Sequence, residues 1–209
     1  MTKAAGRGEQ TRTRIMDIAQ DAILVKGFDA TSIEEIVAEA EITKGGFFYH
    51  FPDKNALARA LIERHIEVED RIFDDLWARA RELSDDPLHA TLIGLRLLAE
   101  MLGDMPNGHP GCIVATAAYQ ERLFDAEVRE MNRRAVLGWR ARFRAIFEEI
   151  ARSYPPREPV DLDALADMVN TVVEGGLVMS RALGEPKMIV GQILLLRTFV
   201  KLVFLPPSH

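Results

Sequence analysis

The stretch Thr31–Lys54, TSIEEIVAEAEITKGGFFYHFPDK, carries the signals of two short helices, a turn and the start of a third helix. Thr31 and Glu34 have the spacing of a capping box, in which a hydroxyl and a carboxylate each satisfy a backbone N–H group at a helix start. Apolar residues at helical spacing predict that one face of this first helix is buried. These residues are Ile33, Ile36 and Val37.

A second short helix is predicted from Lys44 to Tyr49, after a break at Ala40 and Glu41. Thr43 is its expected N-cap, because a threonine hydroxyl there accepts a hydrogen bond from a backbone N–H group of the first turn. A helix of this length is unstable alone and has to be held by its neighbours. A short helix held across another, with polar and aromatic side chains at its N-terminal end, is the helix-turn-helix geometry that enters a DNA major groove.

The string TKGGFFYHF, Thr43–Phe51, followed by the start of another helix at Asp53, resembles the DNA-binding domain of TetR/AcrR-family transcriptional regulators. The resemblance implies a helix-turn-helix DNA-binding domain over residues 1–52 and a helical ligand-binding and dimerisation domain over residues 53–209. One position departs from the family pattern, since Glu41 stands where the turn usually has glycine. We therefore expect a positive φ at Glu41, at a modest energetic cost.

The predicted DNA contacts lie in and beside the second short helix. The helix dipole makes its N-terminal end positive, and hydroxyl, ammonium, phenol and imidazole groups there can donate to phosphate oxygens. Gly45 and Gly46 are each unfavourable in a helix by about 1 kcal/mol relative to alanine, and a close approach of DNA would explain them. Phe47 and Phe51 are predicted core residues, whereas Phe48 is expected to touch a thymine methyl group or a sugar.

Further contacts are expected on either side of this helix. By resemblance, Thr31 and Lys54 are phosphate contacts flanking the groove, and Arg12 lies in a basic N-terminal arm. The alternative for the whole segment is a plain helical corner, with Thr31 as a cap and Lys54 as a solvated side chain. The complete predicted DNA-binding set is Arg12, Thr31, Thr43, Lys44, Gly45, Phe48, Tyr49, His50 and Lys54.

The length and composition of the chain restrict the kind of protein it can be. The chain has 209 residues, 48% of them hydrophobic, which is enough for a sizeable core. The sequence has no apolar stretch of the roughly 18 to 20 residues that span a bilayer and no secretory signal, so a cytoplasmic protein without a membrane partner is expected. The single cysteine, Cys112, suits a reducing compartment.

A net charge of −6 argues against unselective coating of nucleic acid, so DNA affinity has to come from a few placed contacts and from dimeric avidity.

The rest of the chain shows helical periodicity and breaks, with no alternating pattern typical of strands. We therefore predict an all-α fold of about nine helices. Beyond the two short helices, the predicted spans are Glu9–Lys26, stopped by Gly27, Asp53 to about Leu83, Pro87 to about Leu102, Cys112–Glu121, Asp125–Ser153, Asp161 to about Leu183, and Pro186 to about Leu205.

The last predicted helix is apolar nearly all round, which requires burial on more than one side. Gly175, Gly176 and Ser180 in the preceding helix let two backbones come close. Packing of both helices against those of a second copy would form an isologous four-helix interface, although a monomer with central C-terminal helices is the alternative. The resemblance favours the homodimer, whose recognition helices would read a palindromic operator with half-sites about 34 to 36 Å apart or further. The predicted interface residues are Gly176, Ser180, Ile189, Ile193, Leu196 and Val200.

Aromatic and soft side chains recur between the fourth and eighth predicted helices, and two interpretations are open. They form either an ordinary core or a mostly apolar pocket with Tyr119, Gln120 and Glu174 as its polar groups. The resemblance implies a cavity here for a small-molecule effector. The predicted lining is Phe73, Trp77, Leu97, Met101, Cys112, Tyr119, Trp139, Phe143, Met168 and Val172.

Together these patterns predict a homodimeric DNA-binding transcriptional regulator, a repressor that a small apolar or aromatic molecule releases from its operator. No enzyme activity, metal site or cofactor is predicted. Two alternatives are a redox-sensing regulator that acts through Cys112 and a helical enzyme that uses Cys112 with His109.

Overall fold

The computed structural model describes residues 6–205. Within this range the chain forms nine α-helices and one 3₁₀ turn and no β-strand, which confirms the all-α prediction. The helices are α1 (Arg7–Ala30), α2 (Ile33–Glu39), α3 (Lys44–His50), α4 (Lys54–Leu83), α5 (Pro87–Gly103), α6 (Ile113–Tyr119), α7 (Ala126–Ser153), α8 (Leu162–Leu183) and α9 (Met188–Phe204), and the 3₁₀ turn (Glu121–Leu123) lies between α6 and α7.

The first helix is interrupted at Gly27, as the sequence predicts. Gly27 has φ 86° and ψ 167°, which lie outside the helical range, and helical turns resume beyond it as far as Ala30. A positive φ of this kind is readily available only to glycine. The backbone therefore changes direction at Gly27 before it enters α2.

The N-cap of α2 is Ser32 and not Thr31, so the predicted capping box is wrong by one residue. Ser32 Oγ accepts a hydrogen bond from the Glu35 N–H group at 3.1 Å. Thr31 is fully buried, and its hydroxyl donates to the carbonyl oxygen of Gly27 at 2.8 Å. The hydroxyl of Thr31 thus closes the end of α1 and does not start α2.

Two other helices are shorter than predicted. Cys112 is the N-cap of α6, and Gln120 already departs from helical geometry with φ −120° and ψ 27°, so α6 spans only seven residues. The last helix begins at Met188 and not at Pro186, because the Met188 N–H group donates to the Glu185 carbonyl in a turn that precedes it.

Residue contacts divide the chain into two compact units. The first unit holds the described residues up to Glu67 together with Cys112–Ala135, and the second holds Val68–Gly111 and the residues from Val136 onward. Helices α4 and α7 each contribute residues to both units. The predicted domain boundary after residue 52 divides the chain by function and not by packing, and it stays a prediction.

Each unit has its own buried core. In the first unit, α1 to α3 pack with the start of α4 and with the segment from α6 into α7; the buried side chains include Ile15, Ile23, Phe28, Ile36, Phe47, Phe51, Leu57, Leu61, Ile113 and Phe124. In the second unit, one cluster joins aromatic residues of α4 and α7 to α5, α8 and α9, and a smaller one joins α5 to α9. Among residues 6–205, no helix combines the length and apolar character that crossing a membrane requires.

Candidate DNA-binding surface

Helix α3 is seated on the core of the first unit by two phenylalanines. Phe47 and Phe51 are 0% and 2% exposed, and their ring centroids lie 5.9 Å apart. Their spacing of four residues places both on one side of the helix, so the opposite side is turned outward. Both predictions of a core role are confirmed.

The N-terminus of α3 is capped, and the turn before it has the predicted strain. Thr43 Oγ1 accepts a hydrogen bond from the Gly46 N–H group at 3.0 Å, as the sequence predicts. Glu41 has a φ of 50°, the positive value expected where a non-glycine residue occupies this turn. The capped end leaves the other N–H groups of the first turn and the positive end of the dipole available to an anion.

The outward side of α3 brings five of the predicted contact residues together. Tyr49 is 83% exposed and Phe48 is 47% exposed, although both are large aromatic side chains. Thr43, Lys44 and Gly45 are also exposed and lie at the N-terminal end of the same helix. We call these five residues the α3 surface. Their contact with DNA stays a prediction.

Lys44 on this surface is ion-paired within the chain. Its Nζ lies 2.6 Å from Oε1 of Glu34 on α2, and both side chains are more than half exposed. The hydrogen bond from Lys44 holds the pKa of Glu34 below its usual value. Exposed pairs of this kind contribute little to stability, so the ammonium group can exchange Glu34 for another anion at small cost.

Lys54 and Thr31 are placed differently from the prediction. Thr31 has no exposed surface. Lys54 is half-buried, its ammonium group donates to the carbonyl oxygen of Phe28, and burial lowers its pKa. The structure therefore corrects the prediction that the Thr31 side chain contacts phosphate, because its hydroxyl is enclosed and already bonded to Gly27. Both residues fix the turn between α1 and α2.

Arg12 and His50 occupy the edge of the α3 surface. The Arg12 guanidinium carbon lies 5.1 Å from the ring centroid of Phe51, and this side chain is half-buried. His50 is half-buried too, and its ring packs edge-on against Tyr49 at 5.0 Å between centroids. His50 is the last residue of α3, and the contact with Phe51 holds Arg12 close to this helix.

Gln120, a polar group of the pocket in one of the two interpretations of the sequence, bonds to the backbone near the end of α1. Its Oε1 accepts hydrogen bonds from the N–H groups of Phe28 and Asp29, at 2.7 and 3.4 Å. These partners are 92 and 91 positions away in the chain. No local pattern signals a contact over that separation.

The predicted effector pocket is brought together only in part. Phe73, Trp77, Trp139, Phe143 and Val172 belong to one apolar cluster of the second unit. Phe73 stacks on Trp77 at 4.3 Å between centroids, and Phe143 packs edge-on against both. Met101 belongs to the other cluster of that unit and Leu97 is half-buried, whereas Met168 is 36% exposed. Cys112 and Tyr119 belong to the first unit, and Tyr119 is 84% exposed, so neither joins this aromatic cluster.

A carboxyl group of the second unit is also perturbed. Burial, followed by the negative charges of Glu174 and Asp70, raises the pKa of Glu69. Glu174, predicted as a polar group of the pocket, therefore lies near a second carboxyl. Within the described residues, no three His, Cys, Asp or Glu side chains are arranged to hold a metal ion.

Five of the six predicted dimer-interface residues are buried within the chain itself, and Ser180 is half-buried, so these buried side chains are not available to a second copy. Ile189, Ile193, Leu196 and Val200 are at most 3% exposed. They form the side of α9 that packs on α5 and α8, and Gly176 is buried where its missing Cβ would lie 2.9 Å from Ile189. Ser180 Oγ accepts from the Ile189 N–H group at 3.2 Å. The small residues of α8 thus bring α9 of the same chain close.

Other apolar side chains of α8 and α9 are exposed. On α9 they are Leu194, Leu195, Phe199 and Leu202, and on the C-terminal half of α8 they are Val178, Met179 and Leu183. Leu195, Phe199 and Leu202 repeat at helical spacing and are 64%, 40% and 57% exposed. We call these three residues the outer stripe of α9. Helix α9 is therefore apolar on both sides, and the predicted interface residues lie on the side that packs within the chain.

Cys112 lies beside an imidazole that the sequence did not single out. Its Sγ is 3.7 Å from Nε2 of His65 and accepts a hydrogen bond from the Ala115 N–H group at 3.4 Å. His109 accepts a hydrogen bond on Nδ1 from the Gly111 N–H group, and burial lowers the pKa of this histidine.

The segment that holds this surface also matches a known sequence family. The sequence pattern described as bacterial regulatory proteins, tetR family, matches residues 15–61, which include α2 and α3. The uncharacterised helix-turn-helix transcriptional regulator YxaF of Bacillus subtilis is 25% identical over 83% of this chain and 86% of its own length. The regulator TtgR of Pseudomonas putida is 33% identical over 38% of this chain and 37% of its own.

Solved structures share the whole fold. A TetR transcriptional regulator from Chloroflexus aurantiacus matches with a TM-score of 0.73 and 25% identity, over 95% of this chain and 98% of its own. A TetR-family regulator from Agrobacterium tumefaciens matches with a TM-score of 0.75 and 20% identity, over 95% of this chain and 100% of its own, which is a likeness of fold. Given the helix-turn-helix, the matching sequence pattern and the relatives, the chain belongs to the TetR family of DNA-binding transcriptional regulators.

Proposed function

We propose that this regulator represses transcription by binding a palindromic DNA operator as a homodimer, and that a small apolar or aromatic molecule releases it. The observation that carries the DNA-binding part is the α3 surface. Two aromatic side chains and a lysine are exposed there, beside a capped helix N-terminus. Large exposed aromatic residues next to a cation on one short helix suit the stacking, methyl and phosphate contacts of a major groove.

Individual roles follow from position. Lys44 exchanges Glu34 for a phosphate, while Thr43 and the free N–H groups of the first turn bind the same backbone. Phe48 and Tyr49 lie beyond them and reach a sugar, a thymine methyl group or a further phosphate. Arg12 and His50 support the surface from its edge and donate to phosphates as the DNA closes on it.

The dimer is proposed to use the outer stripe of α9 and the exposed apolar residues of α8. TetR regulators dimerise, and an exposed stripe of leucine and phenylalanine is unfavourable in water unless it is covered. Gly191 lies four residues before Leu195, and Gly175 four before Met179; a Cβ at either glycine would meet no atom of the chain within 4 Å. These open positions let the backbones of a second copy approach.

The effector is proposed to bind the second unit beside the aromatic cluster. Phe73 and Trp139 are only partly buried, and their rings offer faces to an aromatic guest. The small molecule releases the operator only if it binds more tightly to a conformation in which the spacing of the two α3 surfaces does not fit the operator. Each 1.4 kcal/mol of that binding preference lowers the affinity for the operator about tenfold.

A second candidate is redox control through Cys112, favoured by its 3.7 Å contact with His65. An imidazolium beside a thiol favours the reactive thiolate. Hydrogen peroxide would then release the operator from the wild-type protein and not from Cys112→Ser. Release by peroxide from both proteins, or from neither, would contradict this second candidate.

The test of the main proposal compares Lys44→Ala and Tyr49→Ala with Lys26→Ala. Lys26 is the matched control, because it pairs with Glu35 of α2 at 2.6 Å but lies off the α3 surface. We expect both α3 variants to bind the operator at least about tenfold more weakly while remaining dimers, since each substitution removes an interaction with DNA worth roughly 1 to 3 kcal/mol. Binding like that of the wild type in both would show that α3 does not contact DNA.

A further inference from the structure

Residues 27–31, where α1 ends and the chain enters α2, are held by three side chains; we call this segment the α1–α2 turn. Beyond Gly27 the N–H groups of Phe28 and Asp29 are both satisfied by Oε1 of Gln120. The Gly27 carbonyl accepts from Thr31, and the Phe28 carbonyl accepts from Lys54. Two of these three side chains come from within or next to the helix-turn-helix, whereas Gln120 comes from the end of α6.

Contact between Gln120 and this turn is close. A Cβ added to Gly27 would lie 2.9 Å from Nε2 of Gln120, a distance at which one of the two would have to move. Phe28 also packs edge-on against Phe124, with 4.8 Å between ring centroids, and both rings are buried. The α1–α2 turn therefore fits against the segment 120–124 with little room for displacement.

The segment that carries Gln120 is itself anchored. Asp125 accepts a hydrogen bond from Arg59 of α4 at 2.9 Å, and its N–H group donates to Asn55 of α4 at 3.1 Å. At the other end of α6, Cys112 contacts His65 of α4. Helix α6 is only seven residues long and connects these two anchors, so we expect a displacement at either end to move Gln120.

We infer that Gln120 is a positioning residue for DNA binding, whose carboxamide ties the end of α6 to the α1–α2 turn and so orients the helix-turn-helix. The turn leads directly into Ser32, the N-cap of α2, and α2 packs on α3. A shift of the end of α6 withdraws the shared acceptor from Phe28 and Asp29, which frees the turn and tilts the α3 surface. The inference rests on the proposed function, since it gives that site its control.

The experiment uses the full-length protein and the palindromic duplex that the wild type enriches from random DNA. Gln120→Asn retains the amide but is too short to reach the turn, whereas Gln120→Glu retains an oxygen acceptor at full length. We expect Gln120→Asn to bind this duplex about tenfold more weakly, Gln120→Glu to recover most of that affinity, and Glu121→Gln, at an exposed neighbour, to change binding less than about twofold.

Amide hydrogen exchange, measured at a temperature where all variants are folded, distinguishes a local effect on the α1–α2 turn from a general loss of stability. If the inference holds, the amides of Phe28 and Asp29 exchange faster in Gln120→Asn than in the wild type, and those of α9 exchange at the same rate. The weaker binding of DNA then accompanies a change confined to the turn. Duplex binding equal to the wild type in Gln120→Asn overturns this inference and leaves the proposed function standing. Failure of the wild type to enrich any duplex overturns the proposed function and the inference with it.

Discussion

Lys44, the first residue of α3, lies 2.6 Å from Glu34 of α2, so the cation proposed to contact DNA is held by a carboxylate of the same chain. The pair joins the two helices of the helix-turn-helix across their N-terminal ends. Lys44 is therefore pre-positioned, but its charge is partly neutralised before DNA arrives.

Removal of this competing carboxylate should strengthen DNA binding. Glu34→Gln leaves Lys44 unpaired and removes a negative charge beside the operator, so we expect affinity to rise by about threefold or more at low salt. Fluorescence anisotropy of a labelled operator duplex across a salt series measures the effect. The matched change Glu35→Gln, which releases Lys26, should have a smaller effect, and an equal gain in both would mean that only net charge matters.

A methyl group at Gly45 should separate folding from DNA binding. The added Cβ would meet only Thr43 Oγ1, at an ordinary 3.8 Å, so the chain accommodates it. Gly45→Ala should leave stability unchanged or raise it by up to about 1 kcal/mol, yet weaken operator binding by about tenfold if DNA approaches this backbone.

Gly138→Ala on α7 is the control for Gly45→Ala, because its Cβ also has ample space, with no atom within 4 Å. It should match any gain in the midpoint of urea unfolding without a change in DNA affinity. If Gly45→Ala binds the operator as tightly as the wild type, a close approach of DNA does not explain the glycine at this position.

The outer stripe of α9 should govern dimerisation. The double change Leu195→Glu with Leu202→Glu places charges on an exposed apolar surface, so the single chain still packs but the dimer weakens by at least about a hundredfold. Sedimentation velocity over a concentration series measures this. Leu83→Glu is the matched control, since Leu83 is 53% exposed and lies outside the stripe. A dimer that survives the double change would place the interface elsewhere.

The half-buried carboxyl group of Glu69 in the second unit predicts a pH dependence of stability. Burial and the charges of Glu174 and Asp70 raise the pKa of Glu69 above 4.5. A carboxyl group whose pKa is higher in the folded state than in the unfolded state stabilises the fold at pH values below its pKa in the unfolded state. That contribution is lost as the pH rises through its pKa in the folded state.

Glu69→Gln should therefore unfold at a higher urea concentration than the wild type at pH 7, and the difference should disappear at about pH 4. Urea titrations at the two pH values measure it, with Glu67→Gln, an exposed neighbour, as the control. A gain of equal size at both pH values would mean that Glu69 is not ionised at pH 7 or that the gain has another source.

Local features of the recognition segment could be predicted from the sequence. The Thr43 cap and the core positions of Phe47 and Phe51 depend on residues within a few positions, so the local sequence predicts them. The positive φ of Glu41 is expected from the resemblance, because the family usually has glycine at that turn position. The cap of α2 differs from the prediction because Thr31 and Ser32 are both good capping residues. Only the turn at Gly27, which draws the Thr31 hydroxyl inward, selects between them.

Features that depend on distant residues could not be predicted in the same way. Gln120 meets Phe28 across 92 positions, and a glutamine after a short helix carries no signal of such a partner. On α9, apolar residues occupy both sides, so periodicity cannot tell which side packs on α5 and α8. Burial in the folded chain makes that choice, and it turns Ile193 inward and Leu195 outward.

The central claim is that this chain reads a palindromic operator through the α3 surfaces of a dimer. Selection of random duplex DNA by the purified protein, followed by sequencing and a salt titration of the best site, tests it most directly. We predict an enriched palindrome, with log affinity falling steeply against log salt, and with Lys44→Ala lowering that slope by about 0.9 for each phosphate that Lys44 neutralises. The absence of any enriched sequence at low salt, from protein shown by mass spectrometry to carry no bound small molecule, would contradict the claim.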